Sequence, residues 1–202
     1  IYFITIFFFI VGLFIKSKTF TLNKKVSGVS VIVCVKNSEN SVNNLINDLK
    51  SQIIDINHEF IIVDDNSTDK TKQSILDNIQ GYPRFKFTKS YFGNKNLYYK
   101  KRALDAGIKI SKYEYLLFTD VDCRLNNKWV ASMMKNYENN FNYIIGCSII
   151  SNPKNFSSYF QMIDYYMLMI SSYASCNLGI PLACTGQNQS YKRSVFDKIG
   201  GF

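Results

Sequence analysis

Two acidic clusters in this chain have the residue types and spacing needed for metal and nucleotide chemistry. The first is TDVDC, residues 119–123, in which Asp120 and Asp122 stand two positions apart after an apolar run. Mg²⁺ and Mn²⁺ prefer oxygen ligands and commonly take one or two carboxylates together with substrate phosphates. The spacing therefore predicts a site for Mg²⁺ or Mn²⁺ that bridges a diphosphate. Two solvated loop aspartates are the alternative interpretation.

The second cluster is VDDNSTDKT, residues 63–71, which also follows an apolar run. Asp64, Asp65 and the neighbouring amide could accept hydrogen bonds from a nucleobase edge or from ribose hydroxyls. A capped turn between a strand and a helix is the alternative, since Asn, Ser, Thr and Asp are common turn residues. An EF-hand is excluded, because loop position six is Asp69 where glycine is required and position twelve is Ile75 where glutamate is required.

A basic run, Lys100 to Arg102, opens a segment of helical composition. Positive charges at the start of a helix oppose the helix dipole, and a bound diphosphate would resolve that conflict. Solvated surface charges are the other interpretation. The sequence contains neither GxxxxGK[ST] nor GxGxxG, so a P-loop and a Rossmann dinucleotide site are excluded.

The elements that must position these residues alternate between strands and helices. Apolar runs of strand length precede both acidic clusters, and apolar residues at helical spacing follow each of them. This alternation predicts an α/β fold with a doubly wound, mostly parallel sheet, in which ligands bind at the carboxyl ends of the strands. The predicted strands are 28–35, 60–63, 84–88 and 115–119, and the predicted helices begin after Ser38, after Ser67 and Thr68, at Lys101 and at Trp129.

Composition limits the function classes. The chain has 202 residues, 47% of them hydrophobic, and a net charge of +9. An anionic partner is therefore plausible, but the basic residues are scattered and form no stripe of the kind that binds nucleic acid. The five cysteines have no CxxC spacing, and the one histidine, His58, lacks a sequence-local partner, so no zinc or redox motif is indicated.

The N-terminal segment 1–15 carries no charge and predicts a membrane helix. It is shorter than the roughly 20 residues that span a bilayer and lacks an initiator methionine, so we expect that its start is missing. The basic linker 16–26 then places the following domain, 27–202, in the cytoplasm. A cleaved signal peptide is the alternative. An aromatic, Met-rich stretch, 155–184, predicts a helix that lies on a membrane surface or packs on the sheet.

Four segments together resemble the family 2 glycosyltransferases with the GT-A fold. They are VSVIVCVKNSENSVNNLINDLKSQ, IIVDDNSTDKT, KKRALDAGI through LLFTDVDC, and TGQNQSYKRSVFDKIGGF, and they stand in the family's order. The TDVDC variant is similar to that of membrane-associated members. The resemblance covers 27–202 and implies an inverting, metal-dependent transfer of a sugar from a nucleotide diphosphate donor to a polysaccharide or lipid-linked acceptor.

The resemblance also implies roles for individual residues. It places Val35, Asn37 and Asp65 around the base and ribose, with Asp64 beside them. It places Lys100 near the diphosphate, Asp120 at the ribose or metal, and Asp122 at the metal. The acceptor side would be lined by Gly186, Gln187 and Asn188.

Two departures from the family's pattern qualify these implications. Cys34 and Lys36 stand where the family commonly has Pro and Tyr or Arg, and the catalytic base is expected beyond Phe202. A degenerate membrane-bound sugar-nucleotide binding module is therefore one alternative function. A sugar-phosphate nucleotidyltransferase is another, although CVKNSEN after the first strand is not the Gly- and Arg-rich loop that it requires. A dehalogenase-type phosphatase would need its DxD near the start of the chain.

Overall fold

A computed structural model describes residues 2–15 and 26–202. Within these ranges the chain forms seven α-helices, six β-strands and two short 3₁₀ turns. The helices are α1 (Tyr2–Phe14), α2 (Val42–Lys50), α3 (Thr71–Ile79), α4 (Tyr99–Ile110), α5 (Trp129–Lys135), α6 (Phe156–Asn177) and α7 (Arg193–Lys198). The strands are β1 (Gly28–Val35), β2 (Asn57–Asp64), β3 (Phe85–Lys89), β4 (Tyr115–Asp120), β5 (Tyr143–Ile145) and β6 (Asn188–Lys192), and the 3₁₀ turns are Ser90–Phe92 and Asn136–Asn139.

The six strands form one sheet in the order β3-β2-β1-β4-β6-β5. The pairs β2–β3, β1–β2 and β1–β4 are parallel, whereas β6 runs antiparallel to β4. The order reverses between β1 and β4, and this is the point at which doubly wound sheets bind ligands beyond the carboxyl ends of their strands. The predicted α/β fold with a mostly parallel sheet is thus confirmed, and the antiparallel pairing of β4 with β6 makes the sheet mixed.

Alternate residues of the central strands pack on opposite faces of the sheet. Val29, Val31 and Val33 of β1 belong to the core that also includes α2, α3 and α5. Ile32 of β1 belongs to the second core, which contains Ala103 and other residues of α4 together with part of α7. Both faces are covered, which explains why the parallel strands are almost wholly apolar.

The helix α4 lies very close to the sheet at Gly107. A Cβ atom there would come within 2.6 Å of Ile32 Cγ2 and 3.0 Å of Val63 Cγ2. Any larger residue would push α4 away from β1 and β2. This contact matters for function because the first residues of α4 carry part of the predicted site.

Two helices begin later than their sequence patterns predict. α2 begins at Val42, four residues after the predicted Ser38 cap, and α3 begins at Thr71. The predicted cap residues instead join the two loops to each other. Ser38 N donates to Thr71 Oγ1 (2.6 Å), and Asn37 N donates to Ser67 Oγ (3.0 Å).

The chain divides into two compact units. One combines Ile1–Phe20 with Ile145–Thr185, and the other combines Thr21–Ile144 with Gly186–Phe202. The segment that contains α6 groups with α1 and interrupts the sheet-containing unit, and the boundaries 1–15, 16–26 and 27–202 stay predictions. In the first unit α1 crosses α6 closely: a Cβ on Gly12 would meet Ala174 O at 2.4 Å, and Asn177 Nδ2 donates to Gly12 O (3.1 Å).

The transmembrane helix predicted for residues 1–15 is not supported. α1 has 13 residues, and among the helices that the structure describes none combines the length and the apolar character needed to cross a membrane. The predicted linker 16–26 lies outside the described residues except for Val26, which is buried in the core of the sheet-containing unit.

Candidate functional site

A cavity of about 540 Å³ lies at the carboxyl edge of the sheet, between the ends of β1 and β4 and the start of α4. Its walls contain three carboxylates and two ammonium groups, and the remaining lining residues are neutral. The lining residues are Cys34, Val35, Lys36, Asn37, Ser38, Asn40, Ser41, Asp65, Tyr99, Lys100, Asp120, Val121 and Asp122. The carboxylates thus outnumber the ammonium groups by one, which favours a bound cation.

The two aspartates of TDVDC lie together in this cavity, as their spacing predicts. Asp120 is the last residue of β4 and is paired in register with Cys34 of β1. Its Oδ1 accepts a hydrogen bond from Lys100 Nζ, so the two residues form an ion pair across the cavity. Asp122 is solvent-exposed on the turn that follows. The predicted neighbours Asp120, Asp122 and Lys100 are therefore brought to one place.

Asp65 closes the opposite side of the cavity. Its backbone N donates to Val35 O (2.8 Å), which fixes the end of β2 beside the end of β1. Its carboxylate lies 3.9 Å from Lys36 Nζ, and the lysine side chain remains more than half exposed. Asp65 and Val35 thus lie together on the wall formed by β1 and β2, and their contacts with a base and ribose stay predictions.

Asn37 also lines the cavity, but its amide group has a structural role as well. The residue adopts a left-handed backbone conformation with φ of 46°. Its Oδ1 accepts hydrogen bonds from Thr68 N (2.8 Å) and Thr68 Oγ1 (3.3 Å). Asn37 therefore connects the loop after β1 to the loop after β2, and its contact with a base or ribose stays a prediction.

Asp64 is placed apart from the cavity lining. It is buried, and its Oδ1 accepts a hydrogen bond from Ser67 N (3.3 Å). The side chain thereby shapes the turn that presents Asp65. Its predicted part in donor binding is not tested by this contact, which gives Asp64 a clear structural function.

The predicted acceptor-side residues lie at the same edge of the sheet without lining the cavity. Asn188 opens β6 and pairs with Thr119 of β4, so Gly186 and Gln187 precede it next to the end of β4. Asn188 is buried, and its Oδ1 accepts a hydrogen bond from Trp129 Nε1 (3.0 Å). Their role towards an acceptor stays a prediction.

The cavity can supply part of a divalent metal site. Asp120 and Asp122 provide hard oxygen donors, and no cluster of three or more acidic, His or Cys side chains able to hold a metal occurs within residues 2–15 and 26–202. Mg²⁺ and Mn²⁺ often bind through one or two carboxylates plus substrate phosphates. The residues present therefore fit a metal that arrives with a diphosphate.

Asp48 of α2 makes hydrogen bonds to the segment that directly follows the Asp122 turn. Both carboxylate oxygens of Asp48 accept hydrogen bonds from the Arg124 guanidinium (2.8 and 2.9 Å), and Oδ2 also accepts from Leu125 N (2.9 Å). Burial alone would raise the pKa of Asp48, but these bonds outweigh it and lower the pKa. The carboxylate thus stays charged and holds the turn in place.

Cys34, the last residue but one of β1, lines the cavity. Burial raises the pKa of its thiol to about 12. A cysteine acts as a nucleophile or metal ligand only as a thiolate. Cys34 is therefore a small apolar wall residue, and no covalent chemistry is assigned to it.

A family model described as glycosyl transferase family 2 matches residues 30–200, which include every charged residue of the cavity. The chain belongs to glycosyl transferase family 2. The resemblance inferred from the four sequence motifs is thereby confirmed.

Two curated members of family 2 are similar in sequence. The chain is 32% identical to the poly(ribitol-phosphate) beta-N-acetylglucosaminyltransferase TarP of Staphylococcus aureus over 122 residues, which are 58% of this chain and 36% of that protein. It is 26% identical to the poly-beta-1,6-N-acetyl-D-glucosamine synthase of Staphylococcus epidermidis over 200 residues, 93% of this chain and 46% of that protein. The chain spans less than half the length of these relatives.

Solved structures share the fold at low sequence identity. The mannosyltransferase PcManGT from Pyrobaculum calidifontis, solved with GDP-Man and Mn²⁺, has a TM-score of 0.72 at 18% identity and aligns with 98% of this chain and 54% of its own. Glucosyl-3-phosphoglycerate synthase from Mycobacterium tuberculosis, solved with Mn²⁺ and UDP, has a TM-score of 0.61 at 11% identity. Its alignment covers 90% of this chain and 66% of its own. These likenesses confirm a GT-A-like α/β fold.

Some cavity residues of this family 2 chain were not predicted as site residues. Ser38, Asn40 and Ser41 follow β1 directly, and their short polar side chains at a strand end were a readable signal. Tyr99 was missed because it belongs to no acidic or basic cluster. Its position just before Lys100 was the one available indication.

Proposed function

We propose that this chain carries the donor-binding part of an inverting, metal-dependent glycosyltransferase. The observation that supports this most strongly is the convergence of Asp65, Asp120, Asp122 and Lys100 on one cavity at the switch point of a family 2 domain. The donor is a nucleotide diphosphate sugar. Both curated relatives carry names of enzymes that add or polymerise N-acetylglucosamine, so we propose a polysaccharide or polyol-phosphate acceptor, with a lipid-linked acceptor as the alternative.

The chain's own residues divide the donor between them. Asp65 would accept hydrogen bonds from ribose hydroxyls, and Val35 would form an apolar wall beside it, since both line the cavity. Asp120 and Asp122 would hold Mg²⁺ or Mn²⁺, which when bound acts as a Lewis acid on the diphosphate leaving group. Gly186, Gln187 and Asn188 precede or begin β6 at the same edge, where an acceptor would approach the donor sugar.

The Lys100–Asp120 ion pair suggests how the cavity accepts its ligand. With Lys100 Nζ on Asp120 Oδ1, neither charge is left uncompensated in the absence of ligand. Asp120 would exchange this ion pair for a bound Mg²⁺ or Mn²⁺, and the Lys100 ammonium group would then be free to donate to a diphosphate oxygen.

Binding of nucleoside diphosphates tests this proposal. Isothermal titration calorimetry with UDP and with GDP, in the presence and absence of MnCl₂, should give Mn²⁺-dependent binding of one of them. Replacing Asp122 by Asn should weaken that binding on the order of 100-fold, because even groups that only support metal ligands are worth roughly 10–100-fold. Asp55→Asn is the matched control, since Asp55 is an exposed aspartate before β2, at the opposite edge of the sheet.

Equal affinities of the Asp122→Asn variant and the unchanged chain would overturn the metal assignment. Binding of UDP or GDP without any sugar transfer to a glycan acceptor would favour the second candidate, a sugar-nucleotide binding module. Family 2 membership favours a transferase over a sugar-phosphate nucleotidyltransferase.

We also propose that the unit that contains α1 and α6 lies against a membrane surface. The sheet-containing unit would then be in the cytoplasm. Apolar side chains of α6 at helical spacing are exposed to solvent: Phe156, Phe160, Ile163, Met167 and Ile170. Phe3 and Phe7 of α1 are exposed as well, α1 has no charged residue, and Asp164 is the only charged residue of α6. Exposed apolar side chains of this kind can bury in the boundary between the headgroups and the acyl chains of a bilayer, and the surface of a soluble protein rarely exposes such a patch.

Vesicle flotation tests this surface. The double variant Phe160→Ser, Met167→Ser should lower the fraction bound to phosphatidylcholine–phosphatidylglycerol vesicles several-fold, at about 0.8 kcal/mol for each buried CH₂ lost. Ile199→Ser, which removes an exposed apolar side chain from the other unit, is the control. Absence of binding by the unchanged chain, together with concentration-dependent dimers, would mean that a second copy covers the patch.

A further inference from the structure

Tyr99, the first residue of α4, has a backbone conformation that is costly for its side chain. Its φ is 53°, in the left-handed region. Five non-glycine residues have positive φ within the described ranges; the other four are asparagines, which tolerate this conformation. A bulky aromatic residue in this region is a real outlier, and such outliers concentrate at ligand sites.

The packing of the Tyr99 side chain does not offset this strain. The residue is 85% exposed, so its ring buries little surface and contributes little hydrophobic stabilisation. A glycine would adopt the same φ without penalty. The conformation of Tyr99 therefore makes no visible contribution to the stability of the fold, which points to a role in ligand binding.

The left-handed conformation places Tyr99 on the cavity wall, next to Lys100. It is the single aromatic side chain among the thirteen residues that line the cavity. The other lining residues supply carboxylates, amides, hydroxyls and ammonium groups, which serve a ribose and a diphosphate, together with the aliphatic side chains of Val35 and Val121. A nucleobase also has a flat π-face, and aromatic side chains are the usual protein groups that stack on it.

We propose that Tyr99 binds the donor by stacking its ring on the nucleobase, so that the strained backbone is the cost of presenting this ring. The inference rests on the proposed donor site and adds to it a base-binding residue. The aliphatic lining residues Val35 and Val121 present no aromatic face, and Tyr99 provides the one π-surface of the cavity lining. Because π-stacking tolerates different bases, Tyr99 contributes affinity more than it discriminates among bases.

Three substitutions separate the ring from the strain. Tyr99→Phe keeps the ring, Tyr99→Ala removes the ring but keeps a Cβ at positive φ, and Tyr99→Gly removes both. The inference expects near-normal binding of UDP or GDP with MnCl₂ for Tyr99→Phe and a loss on the order of tenfold for Tyr99→Ala and Tyr99→Gly. Tyr99→Gly should also raise the melting temperature by about 2–4 °C, since the strain is relieved.

Inorganic pyrophosphate and a nucleotide sugar distinguish the part of the donor that Tyr99 contacts. If the ring stacks on the base, Tyr99→Ala should leave Mn²⁺-dependent pyrophosphate binding unchanged while it weakens nucleoside diphosphate binding. A loss confined to UDP-glucose or GDP-mannose, with UDP and GDP unaffected, would place the ring on the sugar and overturn the inference.

Tyr98→Ala is the matched control. Tyr98 is 72% exposed, has an extended backbone with φ of −117° and does not line the cavity. Its substitution should change neither binding nor melting temperature. Unchanged nucleotide affinity in Tyr99→Ala would overturn this inference alone, whereas failure of the unchanged chain to bind either nucleotide would overturn the proposed function on which it rests.

Discussion

The acidic groups at the two ends of the central sheet differ in how far the protein itself satisfies them. Near the amino end of β2, Glu59 is almost fully buried. Its carboxylate accepts hydrogen bonds from Ser30 Oγ (2.6 Å) and Lys112 N (2.5 Å), and it forms an ion pair with Lys86 Nζ (2.7 Å). At the carboxyl end, Asp65, Asp120 and Asp122 share two ammonium groups around an open cavity. A carboxylate that the protein itself satisfies stabilises the fold, and carboxylates left in excess indicate a ligand.

Removing the Glu59 carboxylate should have the largest effect on stability. Glu59→Ala leaves Ser30 Oγ and Lys112 N without their acceptor, although the partly exposed Lys86 can be solvated. We expect the free energy of unfolding to fall by about 2–3 kcal/mol, measured by urea denaturation. Nucleotide affinity should not change, because the site is at the other end of the sheet. A loss below about 0.5 kcal/mol would contradict this assignment.

The same carboxylate should make stability depend on pH. Burial alone would raise the pKa of Glu59, but its hydrogen bonds from Lys86, Ser30 and Lys112 outweigh burial and lower the pKa below the ordinary 4.5. A lowered folded-state pKa gives stability that is present above the ordinary pKa and is lost as the pH falls through the folded value. The difference in unfolding free energy between the unchanged chain and Glu59→Gln should therefore be constant from pH 7 to about pH 5 and shrink below it.

The smallest expected change in unfolding free energy follows a substitution of Asp122 in the cavity. Asp122 is exposed, and its replacement by Asn reduces the excess of carboxylates. We expect the unfolding free energy to change by no more than about 0.5 kcal/mol in the absence of metal, by urea denaturation. Loss of more than about 1 kcal/mol would mean that Asp122 supports the fold and would remove the contrast with Glu59.

The sequence was informative where strands are buried on both faces. The strands β1, β2 and β4 are largely apolar runs, and β2 and β4 end in or beside acidic residues, so both the sheet and the cluster of Asp65, Asp120 and Asp122 could be predicted. β6 was not predicted, because NQSYK is a polar sequence whose strand pairing depends on β4. The interruption of the sheet-containing unit by residues 145–185 was also unreadable, since composition does not determine which unit a helix joins.

The hydrogen bonds between loops and the conformation of Tyr99 were beyond prediction for different reasons. Ser38 and Ser67 are good helix caps by residue type, but both make hydrogen bonds between the two loops instead. Ser38 N donates to Thr71 Oγ1, and Ser67 Oγ accepts from Asn37 N. Tyrosine has no preference for positive φ, so nothing in the residue type signals the geometry found at Tyr99. Both features depend on the approach of distant segments.

The proposed nucleotide site is complete only once β1 has paired with β4. Val29 and Tyr115 are paired across the sheet although β2, β3 and α4 separate them in the chain. Contacts of such long sequence separation form late, because a large loop must close first. An emerging chain with β1 to β3 in place would therefore hold Asp65 without Asp120, and metal-assisted nucleotide recognition would arise in a single event when β4 joins the sheet.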